Sequence, residues 1–109
     1  MATKKPYSPR KDKDGNTQVL ERIKTKKPDM WAVLMFNDDY TTQEFVIYVL
    51  KRFFRKESVE ATQIMLKVHT AGKAKVGAFT KDVAETKVAQ VSDYAREQGH
   101  PLMLSAEPI

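Results

Sequence analysis

The sequence predicts an α+β domain of three strands and three helices in the order β-α-α-β-α-β, folded as two layers behind an N-terminal extension. Three observations carry this. An apolar run rich in strand-forming residues spans Trp31 to Phe36. Three stretches, beginning near residues 41, 58 and 80, repeat their apolar residues at helical spacing between capping residues and glycines. Two further segments, 73–79 and 102–104, have the short, apolar character of strands.

The extension is set off by its charge. Residues 1–27 carry nine Lys and Arg against three acids, net +6, whereas the remaining 82 residues are net −1. Only 6 of these 27 residues are hydrophobic, against 39 of the following 82, so the segment cannot bury enough apolar area to offset chain entropy and is expected to be flexible. Val19, Leu20 and Ile23 could form no more than a transient helical turn. The domain is expected to run from residue 28 to 109. Its near-neutral charge gives no general drive toward phosphate backbones.

Trp31-Ala32-Val33-Leu34-Met35-Phe36 is apolar on both faces, as expected of a strand at the sheet centre or covered by helices. It stops at the turn formers Asn37-Asp38-Asp39. Thr41 to Glu44 has the spacing of a capping box, so a helix is expected to start from a Thr41 cap and bury Phe45, Val46, Val49, Leu50 and Phe53 on one face. Lys51, Arg52, Arg55 and Lys56 mark its C-terminal end. Ser58 is the expected cap of a second helix with Ala61, Ile64, Met65 and Val68 inward, ended by Gly72. Ala74, Val76 and Ala78 alternate along a half-buried strand that continues into Phe79. Thr80 caps a third helix with Ala84, Val88, Val91 and Ala95 inward, ending at Gly99, and Pro101 introduces the last strand, Leu102-Met103-Leu104.

With 109 residues the chain supports one domain, and with no cysteine it has neither disulfides nor thiolate metal sites. Its longest apolar run, Met30 to Phe36, is seven residues, far short of a membrane span, and no apolar segment follows Lys4 and Lys5 as a secretory signal would require. A cytoplasmic protein without membrane attachment is expected.

Three polar features are candidates for chemistry: the Asn37-Asp38-Asp39 corner, His69 beside the apolar face of the second helix, and the charges Lys81, Asp82, Glu85 and Lys87 on the third. Each has an ordinary structural role as well, as turn and cap residues, a packed histidine and a solvated face. Asp38, Asp39 and His69 as an acid-base set lack a nucleophile in an activating context, and no glycine-rich phosphate loop is present. No pair among Asp38, Asp39, His69 and His100 has the i, i+4 spacing of helical metal ligands, so neither a metal nor a cofactor is expected. A nucleic-acid reading rests on the extension alone. Elimination leaves a binding module rather than an enzyme.

The segments Leu34-Met35-Phe36-Asn37-Asp38-Asp39-Tyr40-Thr41, Glu44-Phe45-Val46, Ala61-Thr62-Gln63-Ile64-Met65-Leu66-Lys67-Val68-His69, Gly72-Lys73-Ala74, Val83-Ala84-Glu85-Thr86-Lys87-Val88 and His100-Pro101-Leu102 closely resemble the ClpS family, bacterial adaptors that deliver N-degron substrates to the ClpAP protease. The resemblance covers about residues 29–107. It implies a three-stranded antiparallel sheet packed by three helices and a pocket for the first residue of a protein chain. Asn37, Asp39 and His69 would hold the α-amino group, with Asp38 in the same corner, and Thr41, Gln43, Val46, Met65, Val68 and Leu102 would line the cavity for a Leu, Phe, Tyr or Trp side chain. An ammonium has only donors, so an amide oxygen, a carboxylate and a neutral imidazole nitrogen are chemically suited to it. The resemblance also implies that Asp82 and Lys87 face the N-terminal domain of a ClpA-type unfoldase, that residues 1–27 serve substrate delivery, and that the chain acts as a monomer without nucleic acid. The chain departs from the family pattern at Thr42, where Pro is common, and at Gln43, where Met is common. The alternative is a small nucleic-acid- or ribosome-associated binding protein, because the expected fold also resembles the C-terminal domain of the ribosomal stalk protein and the extension is basic.

Overall fold

A computed structural model describes residues 29–109; the expectations for residues 1–27 lie outside the described residues. The elements are β1 (Met30–Phe36), α1 (Gln43–Phe54), α2 (Ser58–Ala71), β2 (Lys73–Thr80), α3 (Lys81–Glu97) and β3 (Met103–Pro108), in the expected order. The sheet order is β2-β1-β3 with both pairings antiparallel. The central place of β1 explains its run of apolar residues: Val33 and Met35 are fully buried, and only Met30, at its start, is exposed. No helix among the described residues is long and apolar enough to cross a membrane.

The core lies between sheet and helices. Val33, Met35 and Leu104 from the sheet meet Val46, Val49, Leu50 and Phe54 of α1, Ala61, Met65 and Val68 of α2, and Ala84, Val91 and Ala95 of α3. In α1 the deeply buried ring is Phe54, not Phe53. Phe45 and Phe53 instead lie half-buried at the seam with α3, where both rings pack on Tyr94 at centroid distances of 5.8 and 5.3 Å.

The alternation expected along β2 breaks at a bulge. Val33 pairs with Gly77 but Leu34 pairs with Lys75, leaving Val76 as the extra residue. Beyond it the inward parity is reversed. Ala74 and Val76 are buried, Ala78 is exposed, and Phe79 takes the inward place, 6.2 Å from the Phe54 ring.

Two expected caps are displaced by one residue. Thr42, not Thr41, is the N-cap of α1, and its hydroxyl accepts from the Phe45 amide at 3.1 Å. The physical reason is upstream: Asp38 already holds both the amide and the hydroxyl of Thr41. At α2 the N-cap is Glu57, and Ser58 is the first helical residue. Thr80 does stand at the N-cap of α3, though its hydroxyl makes no capping hydrogen bond. Gly72 closes α2 at φ 89°, a left-handed conformation that costs glycine little. The last strand begins at Met103 and runs on to Pro108, longer than the apolar triplet indicates, because its pairing with β1 is made by backbone groups whatever the side chains.

Candidate functional site

The end of β1 is fixed beside the end of α2. Phe36 pairs with Lys73, and the Asn37 amide donates to the Gly72 carbonyl at 2.9 Å. Gly72 follows His69 by three residues, so this bond brings the Asn37-Asp38-Asp39 corner to the last turn of α2. Between them lies a cavity of about 430 Å3, lined on its polar side by Asn37, Asp38, Asp39 and His69. Val46 of α1 and Met65 and Val68 of α2 form its apolar floor. That volume is in the range of small-ligand sites.

The corner is held by one carboxylate. Asp38 accepts from the Tyr40 amide at 2.8 Å, the Thr41 amide at 2.7 Å and the Thr41 hydroxyl at 2.7 Å. Burial alone would raise its pKa, but the hydrogen bonds from Thr41 and Tyr40 outweigh that cost and, with the nearby His100, hold it below the ordinary 3.8. Asp38 is therefore occupied with shaping the turn. Asp39, next to it, is exposed and faces the same cavity.

The cavity also takes in Tyr40, Thr42 and Glu44, which the sequence reading did not assign to it, along with the expected Thr41 and Gln43. Among the described residues, three carboxylates, of Asp38, Asp39 and Glu44, line it, and no Lys or Arg does. Such walls attract a small cation and repel an anion. The sequence marks Glu44 only as the capping-box partner of Thr41. Leu102 is not at this surface. The cavity lining does not include it, and it belongs to the core cluster shared by Val46, Met65 and Val68.

Asp82 and Lys87 lie apart from this cavity and line a separate shallow hollow of about 310 Å3 with Val83, Thr86 and Gln90. Asp82 is in the first turn of α3, following Thr80, which pairs with Met30 at the start of β1. Asn37 follows the other end of that seven-residue strand, roughly 20 Å away at 3.3 Å per residue.

Fold and cavity together define a small α+β domain in which one pocket joins hydrogen-bond acceptors to an apolar floor. The family model described as ATP-dependent Clp protease adaptor protein ClpS matches residues 26–105. The chain is 56% identical over 95 residues to the ATP-dependent Clp protease adapter protein ClpS of Deinococcus radiodurans, covering 87% of this chain and 84% of that protein. It is 60% identical over 89 residues to that of Rhodospirillum centenum, covering 82% of each. Among solved structures it is similar to Agrobacterium tumefaciens ClpS2 bound to L-phenylalaninamide, with a TM-score of 0.74 and 40% identity, covering 76% of this chain and 100% of the other. The chain belongs to the ClpS family of Clp protease adaptors, and it is a binding protein rather than an enzyme.

Proposed function

We propose that the chain binds the free N-terminal residue of other polypeptides, prefers large hydrophobic residues there, and carries them to the N-terminal domain of a ClpA-type unfoldase. The observation that carries this is one cavity joining an acceptor-rich corner to an apolar floor. A chain end presents the matching pair of groups, an ammonium and, two bonds away, a side chain. L-Phenylalaninamide, the ligand of the Agrobacterium relative, has the same pair, with an amide in place of a free carboxylate.

In this reading Asn37, Asp39 and His69 accept from the α-ammonium, and Asp38 keeps the corner in shape. Val46, Met65 and Val68 receive the side chain, Thr41 and Gln43 stand at the rim, and Leu102 supports the floor from within the core. Burial of the ligand side chain contributes about 25 cal/mol per Å2 of apolar surface. An internal peptide bond has no ammonium, and that is the basis of selectivity for chain ends.

The unfoldase contact is assigned to Asp82 and Lys87. Its separation from the cavity lets peptide and unfoldase be held together. The described chain begins at Asp29, beside Met30 and its partner Thr80, on the Asp82 side of the domain. A part in hand-over is proposed for residues 1–27, whose basic, apolar-poor sequence sets them off from the domain. A monomer in the cytoplasm belongs to the same proposal.

The test is calorimetric titration with a Phe-leading peptide. Asp39→Ala and His69→Ala each remove an acceptor for a charged donor and should lose roughly ten- to a hundredfold in affinity, about 1.5 to 3 kcal/mol. Wild-type affinity in both folded variants would overturn the assignment.

A further inference from the structure

Adjoining the cavity at Tyr40 lies a second, shallower hollow of about 490 Å3, lined by Tyr40, Arg96, Gly99, His100 and Pro101. Tyr40 lines both depressions and is 80% exposed, so the two hollows adjoin at this residue. The His100 wall is firmly held. The His100 ring stacks on Phe45 with centroids 4.0 Å apart, and the His100 amide donates to the Ala95 carbonyl at 2.8 Å. Gly99 is tied to the Arg96 carbonyl at 3.0 Å. Arg96 itself is in the last turn of α3, exposed at the rim.

We propose that this hollow receives the side chain of the second residue of a bound polypeptide and favours an aromatic one there. The inference rests on the reading of the first cavity as an α-amino site. With the first side chain sunk onto Val46, Met65 and Val68, an extended chain turns its next side chain to the other side, and consecutive Cα atoms are only 3.8 Å apart. The surface adjoining at Tyr40 is this hollow. Its chemistry selects a flat ring: Tyr40 and His100 offer aromatic surfaces, Pro101 an apolar one, and the Arg96 guanidinium a cation for a π face. A carboxylate would meet a single exposed guanidinium and, in the adjoining cavity, the charges of Asp38 and Asp39.

The experiment is titration of the full-length chain with peptides that differ only at their start: Phe-Ala, Phe-Trp, Phe-Glu and acetylated Phe-Ala. Phe-Trp should bind roughly three- to tenfold more tightly than Phe-Ala. Arg96→Ala, an exposed change outside the first cavity, should reduce that gain to less than about twofold and leave Phe-Ala affinity unchanged. Equal affinities for Phe-Ala and Phe-Trp, or a gain that Arg96→Ala leaves intact, would overturn the inference while the α-amino site stands. Phe-Glu binding as tightly as Phe-Trp and losing it in Arg96→Ala would make the hollow an anion subsite and overturn the aromatic assignment. Failure to distinguish Phe-Ala from its acetylated copy would instead remove the α-amino reading, and the inference with it.

Discussion

The Thr41 hydroxyl donates to one Asp38 carboxylate oxygen at 2.7 Å while the Thr41 amide donates to the other, also at 2.7 Å. A turn closed in this way presents Asp39 and Asn37 outward while the helix begins one residue late, from Thr42. Asp38→Ala should therefore cost about 1 to 2 kcal/mol of folding stability, the range of a lost cap at a partly exposed site, and should weaken peptide binding through a looser corner. Chemical denaturation beside peptide titration measures both.

The same carboxylate sets a pH dependence. Its folded pKa is lowered, so its contribution is fully present above the unfolded value near 3.8 and is lost as pH falls through the lower folded value. The stability gap between the parent chain and Asp38→Asn should be constant from neutral pH down to about pH 4 to 5 and should close below that. A gap that persists unchanged down to pH 2 would show that ionisation of this carboxylate contributes nothing to folding.

Lys87 has a structural duty besides the one proposed for it. Its ammonium donates at 2.7 Å to the carbonyl of Phe53 in the last turn of α1, a helix end that needs donors. Lys87→Met should cost about 1 to 2 kcal/mol of stability whatever it does to the unfoldase contact. Asp82 is exposed and makes no such bond among the described residues, so Asp82→Lys is the cleaner probe. It should leave stability and peptide affinity unchanged and weaken binding to an isolated unfoldase N-terminal domain.

Much of the architecture was legible because it follows from period and punctuation. The inward stripes of α2 and α3, the Gly72 stop and the central apolar strand all come from local rules. What was not legible came from contacts between segments. Gly77 inside the strand pattern is the one local hint of a bulge, but the register shift that leaves Val76 extra exists only in the pairing with β1. The shift of the α1 cap depends on Asp38 reaching forward to Thr41, a competition that spacing alone leaves undecided. At the site, the Asn-Asp-Asp corner and His69 could each be singled out as polar groups, yet their meeting depends on the long-range bond from Asn37 to Gly72. Glu44 escapes notice as a cavity residue because the capping spacing already gives it a local role, and Tyr40 because nothing in its spacing marks it.

Gln43, the first residue of α1, is exposed at the cavity rim. Closing its amide over an aliphatic ligand strands hydrogen-bonding groups at a cost of about 1 to 3 kcal/mol, whereas aromatic rings tolerate an amide at face or edge. Gln43→Met should raise affinity for Leu-leading peptides relative to Phe-leading ones by roughly threefold or more. An unchanged Leu/Phe ratio would leave Gln43 as a solvated helix residue.

The central claim is that the ligand is a chain end held by its ammonium. Calorimetric titration of the full-length chain with one Phe-leading peptide and its N-acetylated copy tests it most directly. Acetylation removes the charge and two donors while leaving the side chain intact, so the account predicts a loss of at least about a hundredfold. Comparable affinity for the two peptides would contradict it.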